Sequence, residues 1–599
     1  MTVRDSSISA FGTLDGARAT LREKFDYPDF RPPQIRAVQA VLSGRDALVV
    51  LPTGGGKSLC YQVPALMRRG LTVVVSPLIS LMKDQVDALE RRGLPAAFIN
   101  STLTGSEASD RMAQARDGTL KLLYLAPERM DFGRTLQQLV DIGVSLLAID
   151  EAHCISEWGH DFRPSYRRIG LIRERLGSPQ TVALTATATP EVREDIARQL
   201  SLREPEIVVA GFDRINLTYY VAATRTQQDK DSAAVQWLRD APGPAIVYAP
   251  TRKVVERVTS MLVKSRIKAV AYHAGLDDSL RQNAQNAFMD ERARVIVATS
   301  AFGMGIDKAD VRLVVHHAMP GSIEAYYQEA GRAGRDGKPS TCVLLHSYPD
   351  RFTHEFFVEQ AHPDRPLVEQ AWRALRSSAD RDGFSHLSID DLVERLPAKA
   401  GERKANAALR VLAASGALAL EPAAPGRVFV RLLATPERIT RELTGEREYD
   451  REVLRALWRA VGKRLEIGAS IDLDGLPPGF GGSMGIVPVL ERLESQQFVS
   501  WMRTGAGFRL DARCRDAKWL PVDWKALDRR RMAELNRLDA MQRYAQTRAC
   551  RRAFVLRYFG DPEVRTHCDA CDRCLGTADV PPPRDVAQPP RVRSRQRKS

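Results

Sequence analysis

Short apolar runs alternate with helix-length polar segments in the first third of the chain, between residues 45 and 185. Runs of this kind are typical of strands buried on both faces of a parallel sheet, with amphipathic helices as the connections. The pattern therefore predicts a parallel α/β sheet whose strands are Ala47–Leu51, Leu71–Val75, Leu122–Leu125, Leu146–Ile149 and Val182–Leu184.

The same alternation recurs between residues 245 and 345 and predicts a second, smaller α/β unit. Two such domains in tandem would form a cleft. The strands of the second unit are expected at Ala245–Val247, Ala269–Ala271, Val295–Ala298, Leu313–His316 and Cys342–Leu345.

A mainly helical region follows residue 350, where strand-like runs become rare. Two helices and then a hairpin-like stretch at Phe498–Leu510 indicate a winged helix, because glycines mark a turn within that stretch. A weaker pattern of the same kind spans Ser388–Leu432 and ends in a candidate wing at Pro425–Gly426. The sequence leaves open whether the region holds one or two winged modules.

A long helix is expected over Leu527–Tyr544, with one apolar face that packs against the body of the protein. The side chains of this face are Met532, Leu535, Leu538, Met541 and Tyr544. The end of the chain is rich in Pro and Arg and has too little apolar area to fold. We therefore expect a disordered basic tail over residues 578–599.

Composition narrows the class of protein. A chain of 599 residues is too long for one ordinary core, and 44% hydrophobic with 27% charged residues is typical of globular domains. No stretch approaches the roughly 18 consecutive apolar residues of a membrane span, and the N-terminus lacks an apolar signal segment, so a cytoplasmic location is expected. The net charge of +14 favours polyanionic partners, nucleic acid first and acidic membrane second.

A glycine-rich segment directly follows the strand Ala47–Leu51, which is the context of a phosphate-binding loop. Its glycines allow backbone amides to close around phosphates, Lys57 supplies a charge to the β- and γ-phosphates, and Ser58 offers a hydroxyl to Mg²⁺. The strict motif has glycine where this chain has Leu51, and the alternative is an ordinary glycine-rich turn before a helix. The candidate ATP-binding residues of the loop are Thr53, Gly54, Gly55, Gly56, Lys57 and Ser58.

Two carboxylates, Asp150 and Glu151, follow the strand Leu146–Ile149 and are predicted at the same sheet edge as the phosphate loop. Asp150 would hold Mg²⁺, and Glu151 would orient and deprotonate the attacking water. The alternative role of such a pair is to cap a helix. The presence of Lys57 favours phosphoryl transfer.

Arg332 and Arg335 lie in the second unit, on a predicted helix that ends in a glycine-rich turn, and their spacing places them on one face. If the two domains close on ATP, these residues would act as arginine fingers that stabilise the charge on the transferring phosphoryl group. In isolation, two such arginines would more often face solvent.

Four cysteines with the spacing C-x17-C-x2-C-x2-C predict a tetrahedral zinc site of structural type. Four thiolates leave no open position for catalysis, and the neighbouring His567 is superfluous. The remaining cysteines, Cys60, Cys154, Cys342 and Cys514, lack metal spacing and are expected to be packing residues. The predicted zinc ligands are Cys550, Cys568, Cys571 and Cys574.

Taken together, these segments resemble the RecQ family of DNA helicases over residues 20–350 and again over 541–575. The resemblance rests on a series of motifs that occur in the same order. They are FDYPDFRP (25–32) before Gln34, LPTGGGKSLCYQ (51–62), SPLISLMKDQ (76–85), DEAHCISEWGHDFRP (150–164), TATAT (185–189), YHAGL (272–276), ATSAFGMGIDK (298–308), YYQEAGRAGRDG (326–337) and RACRRAFVLRYFGD (548–561) before CDACDRC (568–574).

The resemblance implies roles for residues that chemistry alone does not assign. Tyr27 would stack on adenine, and Gln34 and Arg31 would recognise the edge of the base. Thr185–Thr187 would join the nucleotide state to domain movement, and Gly303–Asp307 would lie at the seam that faces DNA.

The segment Ile155–Pro164 resembles the family's aromatic-rich loop, which senses single-stranded DNA and couples it to hydrolysis; aromatic rings with Arg suit base stacking. The residues assigned to DNA binding and coupling are His153, Trp158, Phe162 and Arg163. The alternative is that Trp158 and Phe162 belong to the core.

The order of modules departs from the family pattern. In the family a zinc module directly follows the motor and a winged helix comes next, whereas here residues 351–549 lie between the motor and Cys550, and 25 residues follow Cys574. We expect no downstream winged helix, and the family's strand-separating hairpin has no assigned counterpart in this chain.

The sequence thus predicts an α/β fold of two tandem RecA-like domains, followed by mainly helical winged-helix-like and zinc-binding modules. The expected divisions are 1–215 and 216–350 for the RecA-like domains, 351–525 for the helical region, 526–577 for the zinc module and 578–599 for the tail.

The predicted function is an ATP-dependent 3′→5′ DNA helicase in repair and recombination, with ATP, Mg²⁺ and Zn²⁺ as cofactors. Its expected partners are single-stranded and forked duplex DNA and single-stranded-DNA-binding or repair proteins, with no membrane association, and a monomer is expected. The alternatives are a translocase that remodels protein–DNA complexes, an RNA motor, and a DNA-binding scaffold with a vestigial ATP site.

Overall fold

The computed structural model describes residues 12–52, 54–77, 79–100, 103–130, 134–159, 161, 163–300, 302, 308–380, 383–385, 387–397, 400–421, 426–503 and 507–577. Several sequence predictions lie outside these residues: those for Thr53, Phe162, Gly303–Asp307, Pro425 and the tail 578–599. The chain divides into two compact units, which are described separately. The first unit comprises Met1–His354 with Ala533–Ser599, and the inserted unit is Glu355–Met532.

The first unit begins with a seven-stranded sheet of order β3-β4-β2-β5-β6-β1-β7, in which all neighbouring strands are parallel. Its strands are β1 (Ala47–Val50), β2 (Leu71–Val75), β3 (Ala96–Ile99), β4 (Leu122–Leu125), β5 (Val144–Ile149), β6 (Gln180–Thr185) and β7 (Glu206–Val209). The helices of this domain are α1 (Leu14–Phe25), α2 (Pro32–Leu42), α3 (Leu59–Met67), α4 (Ile79–Glu90), α5 (Gly105–Arg116), α6 (Arg134–Ile142), α7 (Pro164–Arg167), α8 (Ile169–Arg175) and α9 (Pro190–Gln199).

The central strands of this sheet are buried on both faces, as the apolar runs predicted: every residue of β1, β2 and β4 is buried. Strand β6 lies between β5 and β1, so the carboxyl ends of these three strands are neighbours at one edge. The residues that follow β5 and β1 are therefore brought to the same side of the sheet.

The second sheet has six strands in the order β10-β11-β9-β12-β13-β8, and all neighbours are again parallel. Its strands are β8 (Leu217–Ala223), β9 (Ala245–Tyr248), β10 (Ala269–Tyr272), β11 (Val295–Ala298), β12 (Leu313–His316) and β13 (Ser340–His346). The accompanying helices are α10 (Gln227–Asp240), α11 (Arg252–Lys264), α12 (Asp278–Met289), α13 (Ile323–Ala330) and α14 (Asp350–Ala361). The predicted fold class of two RecA-like parallel-sheet domains is confirmed.

Three strands, β3, β7 and β8, were missed in the sequence. Strands β3 and β7 occupy the two edges of the first sheet, and β8 occupies an edge of the second. Edge strands are less buried and carry a weaker apolar signal; Ile207 in β7, for example, is 44% exposed.

The inserted unit contains two three-stranded antiparallel sheets, of order β14-β19-β15 and β17-β16-β18. Its strands are β14 (Phe384–Ser385), β15 (Leu418–Glu421), β16 (Arg427–Leu432), β17 (Ala469–Asp472), β18 (Val499–Arg503) and β19 (Gly507–Leu510). Its helices are α15 (Arg365–Ser378), α16 (Ile389–Arg395), α17 (Glu402–Ala414), α18 (Pro436–Glu442), α19 (Glu448–Val461), α20 (Arg464–Ile467) and α21 (Gly482–Ser495).

The predicted hairpin at Phe498–Leu510 is wrong in its pairing, although both of its strands are present. Strand β18 pairs with β16 in one sheet, whereas β19 pairs with β14 and β15 in the other. Likewise, β16 follows β15 in sequence but pairs with β17 and β18. We name the sheets the outer module (α15–α17, β14, β15, β19) and the inner module (β16–β18, α18–α21). The inner module, residues 427–503, is a continuous insertion between β15 and β19 of the outer module.

Residues 524–577, which include the four clustered cysteines, are called the zinc segment. Its helices are α22 (Trp524–Gln546) and α23 (Arg551–Tyr558). The predicted apolar face of α22 is correct for Leu538, Met541 and Tyr544, which are fully buried, and wrong for Met532, which is 54% exposed. The two halves of α22 belong to different units, and the buried side chains begin at Ala533.

The zinc segment packs on the second sheet although the whole inserted unit separates them in sequence. Tyr219 of β8 accepts a hydrogen bond from the backbone of Asp572 (2.9 Å) and donates one to Ala570 (3.2 Å), as an additional strand would. The buried Arg551 pairs with Asp572 (2.6 Å), and Tyr544 donates to Tyr326 (3.0 Å). In the part of the chain that the structure describes, no helix is long and apolar enough to cross a membrane.

Candidate nucleotide site and zinc centre

The candidate phosphate loop connects β1 to α3 and depends on glycine at two positions. Gly54 and Gly56 have φ values of 78° and 72°, in the left-handed region that glycine adopts without steric cost. A Cβ atom on Gly56 would lie 2.4 Å from Nε2 of Gln34, and one on Gly55 would lie 2.9 Å from the carbonyl of Pro52. The tight loop therefore tolerates no larger residue here.

Lys57 and Ser58 stand at the junction of the loop and α3. The Lys57 ammonium donates to the carbonyls of Leu51 (3.0 Å) and Pro52 (3.3 Å), which holds the charge within the loop. Ser58 is the N-cap residue of α3, where the helix dipole favours an anion.

The side chains predicted to recognise adenine are partly engaged with the phosphate loop. Gln34 donates from Nε2 to the carbonyls of two loop glycines (3.0 and 3.1 Å) and accepts from the backbone of Arg31 (2.8 Å). Arg31 donates from Nη1 to the carbonyl of Gly54 (3.0 Å). Tyr27 is 51% exposed, as a stacking platform for a base requires.

The two carboxylates follow β5 and are half-buried, in environments that separate their pKa values. Burial, together with the charge of Glu151, raises the pKa of Asp150 to about 7, and the nearby Lys57 opposes this. Burial acts in the same direction on Glu151, but hydrogen bonding to His153 and the charges of His153 and Lys57 lower its pKa below the usual value. Glu151 is therefore ionised at neutral pH, as a general base must be.

His153 connects the carboxylates to β6. Its Nδ1 lies 2.8 Å from Oγ1 of Thr185, which ends β6, and 3.2 Å from Oε2 of Glu151. Thr185 in turn donates to the carbonyl of Thr187 (3.2 Å). A chain of contacts thus runs from Glu151 through His153 to Thr185–Thr187, the segment to which the family resemblance gave a coupling role.

The aromatic-rich loop, Ile155–Pro164, connects the carboxylate segment after β5 to α7. Trp158 is 42% exposed, so it does not belong to the core, contrary to the alternative considered from sequence. Its backbone carbonyl accepts from Nη1 of Arg537 in α22 (2.8 Å). Arg163 pairs with Asp161 (2.9 Å) and donates to the carbonyl of Pro77 (3.1 Å), which holds the base of the loop against the end of β2.

Arg332 and Arg335 lie in the glycine-rich turn that ends α13. The buried nitrogen atoms Nε and Nη1 of Arg332 have no hydrogen-bond partner among the described residues. Buried donor atoms without a partner are costly, and an anionic ligand would satisfy them.

A cleft of about 290 Å³ lies between the two sheets. Gly54 and Gly55 of the phosphate loop line one wall, and Gly334 and Arg335 line the opposite wall. The predicted cleft between the α/β domains is therefore present, and it brings the loop and the arginine turn together. Arg332 and the carboxylates do not line this cleft.

Sequence reasoning missed the segment that joins the sheets. We call residues 210–216, between β7 and β8, the inter-sheet linker. Asp213, Arg214, Ile215 and Asn216 line the cleft together with the phosphate loop. No motif marks these residues, and only their place between the two sheets could have drawn attention to them.

The four predicted zinc ligands converge. The sulfur atoms of Cys550, Cys568, Cys571 and Cys574 all lie within 4.8 Å of one another, which fits tetrahedral Zn²⁺. A hydrogen bond from Cys568 lowers the pKa of Cys571. His567 lies outside the cluster and pairs with Asp569 (2.9 Å).

The cysteines predicted to be packing residues, Cys60, Cys154, Cys342 and Cys514, are all buried. One of them has a neighbourhood that the sequence did not indicate. Cys154, His153 and Asp161 also bring ligand-type atoms within 4.8 Å of one another. Asp161 is already paired with Arg163, so an ion pair accounts for this group.

Comparison with known proteins agrees with this geometry. Residues 31–196 match the DEAD/DEAH box helicase family, 229–337 the helicase conserved C-terminal domain and 512–575 the RecQ zinc-binding family. The probable ATP-dependent DNA helicase RecS of Bacillus subtilis is 40% identical over 365 residues, which are 61% of this chain and 73% of that protein. The chain belongs to the RecQ family of DNA helicases.

The ATP-dependent DNA helicase RecQ of the same organism is 47% identical over 369 residues, 61% of this chain and 62% of that relative. The chain thus spans less than two thirds of that RecQ protein. A solved structure of Mycobacterium smegmatis helicase Lhr bound to ssDNA and AMP-PNP is 24% identical and covers 67% of this chain and 57% of its own, with a TM-score of 0.44.

Proposed function

We propose that this RecQ-family protein is an ATP-dependent DNA helicase that moves 3′ to 5′ on single-stranded DNA and unwinds duplexes in repair and recombination. The observation that carries the proposal is the cleft in which a phosphate loop faces an arginine turn across two RecA-like sheets. Cytoplasmic location, a monomeric state and binding to single-stranded and forked DNA are parts of the same proposal.

In the proposed reaction, the loop amides and Lys57 bind the β- and γ-phosphates, and Tyr27 stacks on the base. Ser58 and Asp150 would hold Mg²⁺, which neutralises phosphate charge when bound. Glu151 orients the attacking water and accepts its proton.

Arg332 and Arg335 then stabilise the charge of the transferring group when the domains close. Single-stranded DNA would contact Trp158, Phe162 and Arg163. His153 and Thr185 supply a route from the carboxylates toward the neighbouring strand end. The cysteine cluster would hold Zn²⁺ as a structural ion.

The test compares the intact protein with Lys57→Ala in two assays: ATP hydrolysis with and without single-stranded DNA, and unwinding of duplexes with a 3′ or a 5′ overhang. We expect DNA-stimulated hydrolysis and unwinding from the 3′ overhang. Lys57→Ala should lower kcat by about 100-fold or more, because the removed charge acts on the phosphates in the transition state. Lys24→Ala, an exposed lysine in α1, is the matched control.

The alternatives give different results. Hydrolysis stimulated by DNA without strand separation would indicate a translocase, and preference for RNA duplexes would indicate an RNA motor. DNA binding without hydrolysis in the intact protein would contradict the motor and favour a scaffold.

A further inference from the structure

The inter-sheet linker is held by the zinc segment. Arg552 of α23 lies next to the zinc ligand Cys550 in sequence, and its side chain is only 8% exposed. Its Nη2 donates to the carbonyl of Leu217 (2.6 Å) and, at longer range, to that of Ile215 (3.4 Å). Its Nη1 lies 3.1 Å from Oδ1 of Asp213. One guanidinium thus contacts two backbone carbonyls and one carboxylate of the chain that leads into β8.

The same linker holds the arginine turn. Arg214 donates from Nη1 to the carbonyl of Gly331 (3.1 Å), and from Nη2 to those of Ala333 (2.9 Å) and Gly334 (3.1 Å). Asn216 donates to Gly334 as well (2.8 Å). These carbonyls flank Arg332 and precede Arg335, so the linker determines where both side chains start.

A stacked aromatic contact supports this arrangement from the other side. Phe212 of the linker stacks on Phe559 at the end of α23, with ring centroids 4.7 Å apart and planes only 4° from parallel. Its carbonyl accepts from the hydroxyl of Tyr327 in α13 (3.1 Å). The linker is therefore fixed between the zinc segment and the helix that carries the arginine turn.

We infer that Arg552 is a positioning residue for ATP hydrolysis, which acts through the inter-sheet linker on Arg332 and Arg335. This inference rests on the proposed function. Charge-assisted hydrogen bonds from a guanidinium to several carbonyls specify both direction and distance, which a lysine or an apolar contact would not. The zinc segment would thus do more than stabilise the fold: it would set the geometry of the second wall of the cleft.

The test is Arg552→Gln in the full-length protein, with zinc content, melting temperature and hydrolysis measured together. We expect kcat for DNA-stimulated hydrolysis to fall by about 10-fold or more, because a small misplacement of a transition-state donor is costly. Binding of a fluorescent ATP analogue should change by less than about 3-fold, since the phosphate loop is untouched. Arg552→Lys should recover part of the lost kcat.

The matched control is Arg557→Ala, an exposed arginine on the same helix, which should leave kcat unchanged. Wild-type kcat in Arg552→Gln with zinc retained would overturn the inference. If Arg552→Gln loses zinc or fails to fold, Arg214→Gln decides, because it breaks the link to the arginine turn and leaves the zinc segment intact. A wild-type kcat in Arg214→Gln would then overturn the inference, whereas absent hydrolysis in the unmodified protein would overturn the proposed function instead.

Discussion

The two units of the molecule are stabilised in different ways. In the first unit, charged groups are buried in pairs: Arg173 with Asp46 (2.8 Å), 127 positions apart, and Arg551 with Asp572 (2.6 Å), 21 positions apart. In the described part of the inserted unit, the buried polar residues are only Ser385 and Asp450. A buried ion pair adds little net stability, but removal of one partner is costly. Such pairs therefore hold the segments that carry them in defined positions. The described part of the inserted unit relies on two apolar cores, one in each module.

The largest stability effect is expected from the buried ion pair inside the zinc segment, Arg551 with Asp572. Asp572→Asn removes the charge that faces Arg551, whose side chain is fully buried, and leaves that guanidinium uncompensated. We expect a loss of about 3–5 kcal/mol in the stability of the docked segment. The measurement is urea denaturation, with zinc release followed by a chromogenic chelator.

Asp569→Asn is the matched control, because Asp569 lies in the same loop and its side chain is 82% exposed. Its zinc release should coincide with that of the unmodified protein. An Asp572→Asn variant as stable as this control would remove the distinction between the two units.

A second effect concerns the apolar core of the inner module. Leu490 in α21 is fully buried there, and Leu490→Ala should destabilise the module by about 2–5 kcal/mol. Hydrolysis of ATP without DNA should stay within about 2-fold of the unmodified protein, because the proposed reacting groups all lie in the first unit. If ATP hydrolysis falls in proportion to the loss of stability, the two units are not independent, and this prediction is wrong.

The same variant tests whether the two modules unfold independently. The inner module is inserted between β15 and β19, and the two sheets share no strand, so loss of the inner sheet should leave the outer one folded. Hydrogen exchange should therefore rise in peptides from α21 and stay unchanged in those from α17. A matching loss of protection in α17 would show that the two modules unfold as one.

The smallest effect is expected at the surface ion pairs of β15, β16 and β19. Glu421 accepts from Arg509 (3.0 Å) and from Arg427 (3.4 Å), and all three side chains are partly exposed. Glu421→Gln should cost about 0.2–1 kcal/mol in urea denaturation, since water and salt screen such pairs.

The pH dependence of this effect has a defined sign. Hydrogen bonding to Arg509 lowers the pKa of Glu421, so its contribution is present above the ordinary glutamate pKa of about 4.3 and is lost as the pH falls below it. The difference between Glu421→Gln and the unmodified protein should shrink on acidification. A difference that grows toward low pH would contradict this assignment.

The sequence alone determined the elements whose signal is local. Buried central strands are recognisable in the sequence as apolar runs. The parallel topology then places the residues that follow these strands, such as Lys57 and Asp150, at one edge of the sheet. Close spacing likewise predicted the cysteine cluster, since three of its ligands share one loop.

Only the tertiary structure decided which distant segments pair. The hairpin at Phe498–Leu510 had a correct local pattern and the wrong partner, because period-two alternation says that a strand exists and not what it pairs with. The docking of the zinc segment on β8, and the contacts of Arg552 with the linker, join residues more than 330 positions apart. Such contacts depend on packing between residues that are distant in sequence, and this packing produces no periodic pattern of apolar residues from which it could be predicted.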